Sequence, residues 1–221
     1  MRTVFRAQLD QCVHDLAAMC DLAVAAMRGA TQALLTGDLR TAERVIADDV
    51  QLDRARSRCE DRAYSLLARQ APVAGDLRVV LAAVHAADTI ERMGDLAAHV
   101  AATARRRHPD PVLPDQLRPT VATMAQTAIT LADSAGTVIR DHDLALADTV
   151  EHGDEVVNVQ HQQVFTLLMS QDWPHGVATA VDVSQLSRFY ERYADHAVSL
   201  ARRMVYVTTG RRRPPRLDNA A

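Results

Sequence analysis

The sequence predicts an all-α protein built as two tandem, pseudo-repeated three-helix bundles, six long helices in all. Three observations point there. Apolar residues recur at alternating steps of three and four over long stretches, the spacing of one helix face. Gly and Pro number only 8 each and gather at a few points. The second half of the chain then repeats the element order and the acidic positions of the first. Composition agrees, since Ala, Val and Leu dominate while aromatics make up 4%, a profile that suits helices better than sheets.

The first helix carries an apolar stripe at Phe5, Leu9, Cys12, Leu16, Met19, Ala23, Ala26, Ala30 and Leu34. Gly37 and Asp38 supply a stop and a new N-cap. A second helix is expected over 38–70. The stretch "QAPVAGDLR" (70–78) interrupts it, because a proline disfavours the helical conformation of the residue before it. A third helix follows to about Arg107, so residues 1–108 form the first bundle. The segment "RRRHPDPVLPDQLRP" (105–119) holds four prolines and marks 109–118 as a Pro-rich linker. The second bundle, 119–210, repeats the scheme. One helix reaches about Asp141, a turn falls at His142 and Asp143, a helix runs to about Asp172, and a last one ends at Gly210. Residues 211–221, "RRRPPRLDNAA", read as a disordered basic tail.

The 221 residues carry a formal charge of −3, and all 25 basic residues are Arg. A near-neutral chain offers no electrostatic case for nucleic acid as a partner. Cys12, Cys20 and Cys59 show no C-x-x-C pairing, which argues against a disulfide framework and for a reducing compartment. The start lacks a signal-like apolar run, and "VVLAAVHAA" (79–87) is too short to span a bilayer. A soluble, cytoplasmic protein without membrane insertion is expected. No Walker loop, G-x-S-x-G, H-E-x-x-H or Cys–His pairing marks a catalytic centre, so the chain reads as a non-enzyme.

Chemistry concentrates in acidic rows. "IERMGDLA" (90–97) and "YERYADHA" (190–197) share Glu-Arg-x-x-Asp at an interval of 100 residues. Residues four apart share a helix face, so Glu91 and Asp95, and likewise Glu191 and Asp195, lie together and away from the apolar stripes. Asp88 and His99 extend the first row. The middle helices add Asp49 and Asp53, matched at an offset of 105 by Asp154 and Asn158. Two such rows on neighbouring helices supply oxygen ligands suited to a hard or borderline divalent or trivalent ion. The plainer reading is a solvated face, with Asp88 paired to Arg92 at i,i+4. His99 reads best as a polar residue near a helix end, and His196 has no equivalent in the first half. Trp173, in "DWPHG" (172–176), reads as an anchor of the turn.

At these residues the chain resembles the PhoU family of phosphate-signalling regulators. The pieces that carry the likeness are "QAPVAGDLR", "IERMGDLA", "ADDVQLD" and "RFYERYADHA", with the spacing of two similar halves over residues 2–209. The resemblance implies surface-bound iron, zinc, manganese or magnesium. The ligands would be Asp49, Asp53, Glu91 and Asp95 in the first half, and Asp154, Glu191 and Asp195 in the second. Asn158 stands where the pattern has Asp, and Arg188 replaces Asp88, so the first site is the stronger expectation. The resemblance further implies a negative regulator of phosphate uptake that links a phosphate ABC transporter, through its ATPase subunit, to a sensor histidine kinase. A homodimer and a role in stress persistence belong to the same implication. Two other readings stand beside it. One is a carboxylate-bridged, ferritin-like metalloprotein, for which the Glu-x-x-His pairs of such bundles are missing from the acidic rows. The other is a purely structural scaffold.

Overall fold

A computed structural model describes residues 2–211, with the backbone alone at Arg2. The basic tail expected over 211–221 lies outside the described residues except for Arg211. Eight α-helices make up most of the described chain: α1 (Arg2–Thr36), α2 (Leu39–Asp48), α3 (Val50–Gln70), α4 (Ala74–Arg107), α5 (Arg118–Asp141), α6 (Leu144–Gly153), α7 (Glu155–Leu168) and α8 (Gly176–Thr209). The six predicted helices are all present. The second and the fifth are each divided once, at Asp49 and Asp154, which are equivalent residues of the two halves. Both keep right-handed helical dihedrals (φ −54°, ψ −37° and φ −74°, ψ −17°). The hydrogen-bond ladder is interrupted while the chain direction continues. The fifth helix stops at Leu168 rather than near Asp172, because a turn bonded from Trp173 N to Ser170 O leads into Pro174.

Local chemistry explains the boundaries. Gly37 takes φ 71°, open to glycine without a Cβ clash, and Asp38 accepts from Thr41 N at 3.2 Å. Asp143 does the same in the second half, accepting from Ala145 N and Leu146 N at 2.9 and 3.0 Å. Ala71 ends α3 in the left-handed region at φ 44°, immediately before Pro72. Trp173 donates from Nε1 to Gly176 O at 2.9 Å, which pins the α7–α8 turn.

The core follows the predicted stripes. Leu9, Cys12, Leu16, Met19, Ala23, Ala30 and Leu34 are buried, and Phe5 and Ala26 half-buried. The same register 105 residues on is buried too: Met124, Ala128, Ala135 and Ile139. Helices α1, α4, α5 and α8 form the centre, with α1 against α4, α5 against α8, and both cross-pairs α1–α5 and α4–α8 in contact. Helices α2 and α3 flank the first pair, and α6 and α7 the second. Small Ala and Gly side chains on these faces let long helices approach closely.

Polar bonds also cross between the halves. Thr31 on α1 and Tyr190 on α8 share a buried hydrogen bond of 2.9 Å. Buried Asp182 on α8 takes Arg106 and Arg107, at the end of α4, at 2.6 Å each. The connecting segment is packed rather than extended, with Val112, Leu113 and Leu117 buried. The three cysteines are free and buried.

Candidate metal centre

The predicted acidic rows meet where the helical ladder breaks. In the first half Asp49 sits at the α2–α3 junction and lies against α4 at Gly94. A Cβ added at Gly94 would stand 3.2 Å from Asp49 Oδ1 and 2.4 Å from Leu52 Cδ1. The missing side chain on α4 is therefore what admits both neighbours. In the second half the pair is Val157 and Ala194, both buried. One carbon has moved across the helix interface, and the total volume is conserved.

The electrostatics place the first set together. Burial pushes the Asp49 carboxyl above its usual range, Asp95 and Asp53 push it further, and His99 opposes them. Glu91 is raised by burial first and then by Asp95, with Asp53 and Asp88 adding and Arg56 opposing. Like charges brought close in a half-buried place disfavour ionisation. Asp49 and Glu91 thus each feel the negative charge of Asp53 and Asp95 across the α3–α4 interface, which is the situation a multivalent cation relieves. Glu91 and Asp49 are half-buried, whereas Asp53 and Asp95 are exposed. The donor set, oxygen throughout, fits a hard or borderline cation.

Formed coordination spheres are another matter. Among the described residues, no group of three or more His, Cys, Asp or Glu side chains stands at metal-holding separation. A cavity of about 220 Å³ reaches Asp49 from the α1 side but is lined otherwise by residues such as Leu22, Gly29, Arg44 and Val45, not by Asp53, Glu91 or Asp95. The first set is a converging patch whose exposed members must turn to share an ion.

The second set differs. Glu191, Asp195 and Asp154 repeat the burial of Glu91, Asp95 and Asp49. However, Arg188 Nη1 lies 2.6 Å from both carboxylate oxygens of Glu191. Burial raises the Glu191 carboxyl, with Arg188 and Arg192 opposing. The guanidinium competes with any cation for this oxygen pair.

Several neighbours add to the sequence reading. Asp88 pairs with Arg92 at 3.2 Å, as its i,i+4 spacing predicts. His99 is not a helix-end residue: α4 continues to Arg107, and the imidazole stacks on Phe189 of α8 with ring centroids 5.3 Å apart. It stands at the α4–α8 seam facing Asp49. Its spacing of four from Asp95 was the available signal. Arg56, which no pattern singled out, places Nε 3.8 Å from Glu91 Oε1 while its Nη1 donates to Glu60 at 3.1 Å. His196 is held below the usual imidazole range by burial and by Arg192 and Arg92.

Comparison with known proteins decides the family. The PhoU domain matches twice, over residues 16–104 and 121–204. The chain belongs to the PhoU family. It is 48% identical over 210 residues to the phosphate-specific transport system accessory protein PhoU homolog 2 of Mycobacterium tuberculosis, spanning 95% of this chain and 99% of the relative. It is 46% identical to PhoU homolog 1 of Mycobacterium leprae, spanning 95% of each. The crystal structure of the phosphate transport system regulatory protein PhoU from Streptococcus pneumoniae superimposes with a TM-score of 0.84 at 20% identity, covering 95% and 99% of the two chains. PhoU from Pseudomonas aeruginosa gives 0.83 at 24%, covering 94% and 100%. These two establish a shared PhoU fold. No helix among the described residues is long and apolar enough to cross a membrane.

Proposed function

We propose that this PhoU-family chain is an accessory regulator of phosphate uptake that acts by binding partners rather than by catalysis. In this reading it is a cytoplasmic adaptor between the ATPase subunit of a phosphate ABC transporter and a sensor histidine kinase. It restrains uptake and the phosphate response when phosphate is plentiful. The end-to-end likeness to an accessory protein of a phosphate-specific transport system, at 48% identity, is the observation that carries it. Asp49, Asp53, Glu91 and Asp95 would hold the metal, and a bound cation would neutralise their repulsion and tie α3 to α4 on the outer surface.

A strain lacking the chain should express phosphate-responsive genes in high phosphate, and the intact chain should restore repression. Unchanged expression in that strain counts against regulation. Affinity capture from phosphate-replete cells should recover the transporter ATPase and the kinase.

The homodimer belongs to the same proposal and is supported by α7. Residues 156–171 contain no charged side chain, whereas their equivalents 51–66 contain seven. Val159 and Phe165 on α7, Met169 just beyond it, and Val177 and Val181 in the first turns of α8 are exposed, and exposed apolar patches depleted of charge mark interfaces. The matching face of the first half is charged, so a head-to-tail contact would set apolar against charged surface. Two-fold pairing of α7 with α7 of a second copy meets no like charge and closes the assembly.

A further inference from the structure

The duplication provides its own control for the second acidic set. Glu91 and Glu191 hold equivalent places on α4 and α8, half-buried, each four residues before an exposed aspartate. Their cationic neighbours are not equivalent. Arg56 reaches Glu91 from α3 at 3.8 Å, beyond hydrogen-bond length, and is shared with Glu60. Arg188 comes from one turn earlier on α8 and bonds both oxygens of Glu191 at 2.6 Å. Both contacts come from the one Nη1 of a side chain that is 55% exposed. Arg188 therefore opposes an incoming cation mainly by placing a permanent positive charge against Glu191.

The surrounding positions change in the same sense. Arg188 occupies the place of Asp88, and Asn158 the place of Asp53. His161 takes the place of Arg56 and turns to Ser187, 2.5 Å from its Nδ1. Over the five equivalent positions the first half presents five carboxylates. The second presents three, with an amide and a guanidinium. A cation approaching Glu191 would have to displace two short bonds and then sit beside the guanidinium it displaced.

We propose that Arg188 is a built-in cation that closes the second acidic set, so that the chain takes metal through its first half alone. The proposal rests on the metal reading of Asp49, Asp53, Glu91 and Asp95. Manganese(II) binding by the full chain, followed by equilibrium dialysis and elemental analysis, tests it. Glu91→Ala should abolish bound manganese and Glu191→Ala should leave it unchanged. Arg188→Asp, which restores the residue of the first half, should raise the manganese per chain about twofold as a second oxygen-rich set opens.

Loss of manganese in Glu191→Ala, or no gain in Arg188→Asp while the wild type binds, overturns the proposal and leaves the first centre standing. Manganese absent from every variant overturns the metal reading itself. Thermal unfolding in chelator then judges Arg188 alone. Arg188→Met should lower the midpoint, Arg92→Met should not, and adding Glu191→Gln should restore it. An unchanged midpoint in Arg188→Met sinks the internal cation.

Discussion

Leu52 Cδ1 occupies the space that a side chain at Gly94 would need, 2.4 Å from where its Cβ would stand. That contact closes α3 onto α4 directly beside Asp49. Gly94→Ala should therefore overpack the interface, a change that costs about 1–3 kcal/mol. Leu52→Val should cost less by itself and should rescue Gly94→Ala, since Val157 and Ala194 already pair this way in the second half. Denaturant unfolding of the four proteins measures the coupling, expected at about 1 kcal/mol or more in favour of the double variant. Additive effects would mean the two residues do not compete for one space.

The two buried tyrosines of α8 should respond oppositely to loss of their hydroxyls. Tyr190 OH is bonded to Thr31 Oγ1, so Tyr190→Phe strands a buried hydroxyl between the halves and should cost about 1–2 kcal/mol. Tyr193 OH is buried with no hydrogen-bond partner among the described residues. Tyr193→Phe removes that orphan and should leave stability unchanged or raise it by up to about 1 kcal/mol. Equal losses in both would show that Tyr193 OH has a partner.

Asp49 and Glu91 set a pH dependence of known sign. Their folded-state pKa values lie above the ordinary ones, so ionising them at neutral pH works against the fold. This cost is present above the raised values and fades as pH falls through them. In metal-free protein the stability difference between wild type and Asp49→Asn should shrink as pH falls through the raised Asp49 value. Half-buried His161 and His196, held below the usual imidazole range, destabilise both proteins alike on acidification. Asp49→Asn should raise the midpoint at pH 7 by about 1–3 °C, a small effect because water screens a half-exposed carboxylate. Added salt should shrink the difference. A lower midpoint for Asp49→Asn would show that the carboxylate stabilises the fold instead.

The α7 face predicts a charge-sensitive dimer. Phe165→Glu and Met169→Glu should each convert it to monomer in sedimentation or light scattering. Arg54→Glu, on the equivalent charged face of the first half, should not. All three positions are exposed, so folding should survive.

Much of this was legible in the sequence, for reasons visible residue by residue. Helix periodicity is local, so the α1 stripe from Phe5 to Leu34 emerges on the packed face, buried except for half-buried Phe5 and Ala26. Gly37, Asp38, Pro72 and Asp143 act within a few residues of themselves, and the boundaries they set appear where expected. The break at Asp49 and Asp154 was not legible, since both keep helical dihedrals. The role of His99 was hidden too, because Phe189 stands 90 residues away.

The chain by itself determined the helices, the duplication and the places of the carboxylates, because each depends on spacing along one helix. Which carboxylates converge, and what meets them, was decided only by packing. The absent side chain of Gly94 draws Asp49 towards the α4 row, and one guanidinium on α8 takes both oxygens of Glu191. Nearly identical acidic patterns thus become a converging patch in one half and a closed ion pair in the other. Charge interactions depend on distance across helices, and that distance is set by side-chain volume at the contact.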